Sequence, residues 1–119
     1  MTNVDYRDGT LHVTFTGWEG LMAGRSAIAV PRGAILGARS TDGWTTEILG
    51  MRSGLVVSGF RKVGVFTHPS GIRRLVSMSR GVPLLRVGVD RTTTGFDELL
   101  LSTPHASAIA RAIMSGVPA

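Results

Sequence analysis

Arg61, Lys62, Arg73, Arg74, Arg80 and Arg86 are the side chains in this sequence whose type and spacing best suggest a binding site. No aspartate or glutamate falls between Glu47 and Asp90, so the middle of the chain is basic without compensation. If these groups cluster, they form a face for phosphate or carboxylate, because a guanidinium fork grips two oxygens at once. The bland alternative is that they are the outward, solubilising half of alternating strands. A nucleic-acid-binding barrel could use the same tract, but single-strand binding usually adds stacking aromatics to a basic groove. Only Phe60 and Phe66 lie near, and both suit a core.

Other chemistry finds less support. His68-Pro69-Ser70 sets a base beside a hydroxyl, but it reads as an exposed turn with no third group to orient the pair. Asp97 and Glu98 are adjacent at a strand start, so they point to opposite faces and cannot share a proton. His12, His68 and His105 are far apart, and no cysteine supports them as metal ligands. Gly54 to Gly59 has the glycine spacing of a phosphate loop, yet Phe60-Arg61 stands where Lys-Ser/Thr would hold phosphate and magnesium. The expectation is a non-enzymatic protein with no metal and no cofactor, an enzyme ranking behind both binding readings.

The net charge of +5 is carried by twelve arginines and one lysine. It favours acidic partners: an acidic protein surface or anionic lipid first, nucleic acid after them. Arginine dominance also follows from GC-rich coding, which replaces lysine everywhere. Apolar residues make up 43% and charged residues 18% of the 119, a balance that argues against disorder. A chain of this length is one domain, residues 1–119 with a core from about 5 to 114, and folding hides roughly two thirds of its surface. The start, MTNVDYRDGT, has no basic or apolar signal region, and no apolar run reaches the ~20 residues of a membrane span. With cysteine absent, the expected location is the cytoplasm.

The elements that must position the basic tract are mostly short strands. Val4–Arg7 leaves room for one, and Asp8-Gly9 is a turn signal. Leu11–Thr16 alternates with period two, Ser26–Val30 ends at Pro31, and Ala34–Ser40 ends near Asp42-Gly43. Trp18, Leu21 and Met22 allow one helical turn, and Trp44–Gly54 has no lasting period beyond a piece of strand near Glu47–Leu49. Trp18 and Trp44 read as core or barrel-mouth packing before ligand stacking. Leu55–Ser58, Val63–Thr67, Arg73–Met78 and Leu84–Val89 then read as a meander, with Arg80-Gly81 as a tight hairpin turn. Register is ambiguous where Leu75 and Val76 are both apolar, since a slip of one residue reverses every face. Glu98–Ser102 is the last strand. Thr103 then reads as an N-cap, Pro104 as the first helical residue, and Ala106, Ile109, Ala110, Ile113 and Met114 as one apolar stripe before Gly116.

About seven short strands and one C-terminal amphipathic helix make a mainly β fold, a small barrel or bent sandwich. The order of signals resembles the pleckstrin-homology-like (PH-like) domain in its small stand-alone bacterial form. The resemblance is carried by LHVTFTGWEGLMAGR, by AIAVPRGAI, by the Arg73–Val89 segment and by FDELLLSTPHASAIARAI, over roughly Asp5 to Met114. It implies a partly open seven-stranded barrel capped by the C-terminal helix, and a binding or homo-oligomerisation role. Relatives that bind phosphoinositides use a basic first hairpin. The matching connection here, Gly17–Arg25, offers only Arg25 and also carries Glu19.

Overall fold

Buried Leu11 and Val13 alternate with His12 and exposed Thr14, and this period of two sets the second of nine strands among the described residues. The computed structural model describes residues 3–15, 27–41, 51–57 and 61–115, with 51–57 and 61–62 as backbone. Trp18, Trp44, Phe60, the Gly17–Arg25 connection, the Glu47–Leu49 segment and Gly116 lie outside the described residues. The strands are β1 (Asn3–Arg7), β2 (Thr10–Thr14), β3 (Ala27–Pro31), β4 (Ile35–Thr41), β5 (Met51–Val57), β6 (Arg61–Thr67), β7 (Arg73–Ser79), β8 (Leu84–Val89) and β9 (Glu98–Ser102). Two helices follow in the same scheme, α1 (Arg91–Thr94) and α2 (Ala106–Met114). The mainly β class with one C-terminal helix of useful length therefore holds, with nine strands described where about seven are expected.

The strands form two sheets, one in the order β1-β2-β3 and one in the order β4-β8-β9-β7-β6-β5. Asp8 and Gly9 sit at φ +53° and +71°, the doubly positive pair of a type I′ turn, so β1 and β2 close a two-residue hairpin. A single 3-10 turn at Arg32–Ala34 carries the chain from the first sheet to the second. Leu11, Val13 and Val30 of the first sheet, with Phe15 just past β2, pack with Leu75, Leu85, Val87, Leu99 and Leu101 of the second. Helix α2 closes this core with Ala106, Ile109, Ala110 and Ile113, and packs mainly along β4.

The Arg80-Gly81 expectation needs correcting. The turn exists, with Gly81 at φ +83°, but the strands it joins are not neighbours. Strand β9 lies between them, parallel to β7 and antiparallel to β8. The connection Arg80–Pro83 must therefore cross two strand spacings, about 10 Å, instead of one. A local turn signal reports a reversal of direction and says nothing of which strand pairs with which.

This insertion also explains the adjacent apolar residues of β7. Leu75, Val76, Ser77 and Met78 are all fully buried, because the middle of the larger sheet is covered on both faces. Leu75 belongs to the core shared with α2, and Val76 and Met78 join Phe66, Leu84 and Leu100 in a second cluster. The helix differs from expectation at both ends. Its regular turns begin at Ala106 with His105 at the N-cap position, and Thr103 acts two residues before that cap by accepting the His105 N–H on its Oγ1 at 3.2 Å. Met114, read as part of the buried stripe, is 55% exposed. Among the described residues no helix is long and apolar enough to cross a membrane.

Candidate functional site

Neighbouring residues on a strand point to opposite faces, so the sheet separates Arg73 from Arg74. Arg73 turns toward the side of Leu75. Its backbone N–H donates to Asp97 Oδ2 at 2.9 Å, its Nη1 to the Gly95 carbonyl at 3.4 Å, and its guanidinium lies 5.2 Å from the centre of the buried Phe96 ring. Arg73 is thus a structural clamp on the α1 connection. Arg80 is exposed in the β7–β8 turn. The backbones of Arg61 and Lys62 pair with Ser79 and Met78 at the end of β7 far from Arg73, and their side chains lie outside the description.

Arg74 and Arg86 do converge. Arg74 Nε donates to Glu98 Oε1 at 2.8 Å. Arg86 Nη2 donates to both Glu98 oxygens, at 3.2 and 3.3 Å, and its Nε to Oε2 at 3.3 Å. Side-chain exposures of 13%, 20% and 12% for Arg74, Glu98 and Arg86 mean that water screens this triad weakly. Arg74 Nη1 is buried without an acceptor. The counter-charge absent from the basic stretch of sequence is therefore supplied by β9, which carries Glu98 into the gap between β7 and β8.

A third arginine completes the group. Strand β4 pairs with β8 so that Arg39 stands directly opposite Arg86, on the same face of the sheet. Like charges in that position destabilise a strand pair unless an anion lies between them. Among the described residues Arg39 has no ion-pair partner, whereas Arg74 and Arg86 both bond Glu98. Beside them opens a cavity of about 400 Å³. Arg39, Arg86 and Glu98 form its polar side, Leu36, Ala38 and Met114 its apolar side, and Gly37 and Gly88 also line it. The Met114 sulfur accepts the Ala38 N–H at 3.3 Å, which fixes that side chain on the edge of β4.

Sequence reading missed Arg39 and Glu98. Arg39 is the one charged residue of its strand, and only the pairing of β4 with β8 brings it to the tract. Alternation within Leu84–Val89 did place Arg86 opposite in face to Leu85, Val87 and Val89, as the structure has it.

The remaining candidates keep simpler roles. His68 Nδ1 accepts the Ser70 backbone N–H at 3.1 Å and lies 2.8 Å from Ser70 Oγ. The lone pair therefore sits on Nδ1 and the proton on Nε2, and no group orients Nε2 among the described residues. Asp97 and Glu98 do point apart, Asp97 taking Arg91 at 3.0 Å and Glu98 the triad. Among the described residues no three histidines or carboxylates gather as a metal site would require. Compared with family models, with curated proteins and with solved structures, the chain finds no match in any of the three.

Proposed function

We propose that this chain is a non-enzymatic binding module of the PH-like type that docks an acidic group on the outer face of its larger sheet. The contact is centred on Arg39 and Arg86, with Arg74 and Glu98 behind them. One observation carries the reading: Arg39, with no ion-pair partner among the described residues, stands directly opposite Arg86 on the lining of an open cavity. An acidic group lodged between Arg39 and Arg86 relieves their repulsion and meets two forks of the geometry that binds carboxylate or phosphate. The tract read from sequence contributes Arg86 to this contact directly and Arg74 through Glu98. Arg73 belongs to the scaffold. The resemblance to PH-like domains, which serve as binding modules, supports the same conclusion.

The test is a nuclear magnetic resonance titration of the labelled chain with inorganic phosphate and with a short glutamate-rich peptide at low salt. Saturable shifts centred on Gly37, Gly88 and Arg39 are expected, weakening as salt shortens the screening length. Arg39→Gln should weaken binding by about tenfold, the scale of one charge-assisted contact. Binding that Arg39→Gln leaves unchanged, or shifts confined to another surface, would sink the proposal. A single-stranded oligonucleotide that outcompetes the peptide, with affinity falling steeply in salt, would overturn it in favour of nucleic acid.

A further inference from the structure

We infer that the acidic group is the carboxylate of a small planar ring, an aromatic acid lying flat on a floor made by Gly37 and Gly88. This rests on the anion reading above and specifies its ligand. The two glycines pair directly across β4 and β8, so the sheet has bare backbone where two side chains would stand. A Cβ built on Gly37 would meet nothing within 4 Å, and one on Gly88 would first meet the Gly37 carbonyl and Leu36 Cβ at 3.9 Å. The space above the pair is therefore empty, and it is the space of the cavity.

The surroundings match a ring better than a bare anion. The register shifts between Ile35 and Gly37, so Leu36 is the extra residue of a β-bulge and stands out from the sheet at 74% exposure. Met114, held by the Ala38 N–H at the edge of β4, also lines the cavity. A leucine and a thioether on the wall of a slot favour an aromatic ring, whose edge makes good contact with sulfur. Gly37 to Arg39 is two residues, about 7 Å along a strand, the length of a six-membered ring with its carboxylate. A ring over the glycine pair thus puts its carboxylate between Arg39 and Arg86. Inorganic phosphate would fill only the arginine end, and a long acyl chain would outrun the short apolar wall of Leu36 and Met114.

The experiment compares benzoate, cyclohexanecarboxylate and acetate by titration of the full labelled chain, read at the Gly37 and Gly88 amides. Benzoate should bind about tenfold more tightly than acetate, the scale set by burying one ring face, and more tightly than cyclohexanecarboxylate, whose puckered ring cannot lie flat on the glycine floor. The double variant Gly37→Ala/Gly88→Ala adds methyls only into open or ordinary contact. An unchanged melting temperature will show that it folds, and it should lose the benzoate advantage while keeping acetate affinity. Equal affinity for benzoate and acetate, or for benzoate and cyclohexanecarboxylate, would overturn the ring inference and leave the anion reading standing. Full retention of the benzoate advantage in the double variant would overturn it as well. Silence of both amides with every carboxylate at low salt would end both readings.

Discussion

Glu98 shows how much one residue can carry when its neighbours are poorly solvated. Two guanidiniums, each less than one seventh exposed, depend on its two oxygens. Breaking a buried ion pair costs more than making it gains, because the partner left behind is charged and dry. Glu98→Gln is therefore expected to destabilise the fold by about 2–4 kcal/mol, read as a lower urea midpoint with unchanged slope. The Arg91–Asp97 pair, at 3.0 Å but half exposed on the arginine side, is a contrast. Water screens it, and Arg91→Ala should cost well under about 1 kcal/mol in the same measurement. A Glu98→Gln effect no larger than that of Arg91→Ala would show that the triad is not a buried network.

At the scale of elements, α2 is held by packing along one stripe and by a cation at its end. Ile113 is fully buried beneath it, and Arg32 Nε donates to the Ile113 carbonyl at 3.0 Å. The same guanidinium donates through Nη1 to the Ile35 carbonyl at 3.0 Å, tying the helix C-terminus to the start of β4. A cation there satisfies an orphan carbonyl and meets the negative end of the helix dipole. Arg32→Met keeps the stem but removes these bonds, and a loss of about 1–2 kcal/mol is expected in thermal unfolding followed by circular dichroism. Ile113→Ala should cost more, about 2–5 kcal/mol, since it opens a cavity under the helix. The reverse order would mean that the cap, and not the stripe, fastens the helix. The stripe was legible in the spacing of Ala106, Ile109, Ala110 and Ile113. Arg32 was not, because it lies on a distant turn that only the finished fold brings to the helix end.

For the whole molecule the decisive event is the insertion of β9. It is the last strand of the chain, yet it stands in the interior of the larger sheet with β7 on one side and β8 on the other. Without it, the hydrogen-bonding edges of both neighbours and the inward residues Leu75, Leu85 and Val87 lose their partners. A chain ending after Asp97 should show no cooperative thermal transition, whereas loss of a peripheral strand would leave one. A cooperative melt in that truncated chain would mean that the six-stranded sheet can form around a gap.

Sequence alone determined what depends on neighbours along the chain. The Asp8-Gly9 turn follows from backbone sterics, the alternation of Thr10–Thr14 from the pleat, and the stripe of Ala106–Ile113 from the helical period. Partner choice between strands is not written in any of these, because a strand's pattern fixes which face is apolar and not which backbone it meets. Hence the meander expected through Leu84–Val89 opened to admit β9, and Leu75 and Val76, ambiguous in sequence, proved to be buried on opposite faces. The basic tract changed most. Tertiary structure sent Arg73 to one face and Arg74 and Arg86 to the other, then brought Glu98 and Arg39 to them from strands that no local signal connects. Charge along a chain is a sum, and only the pairing of strands turns it into a site.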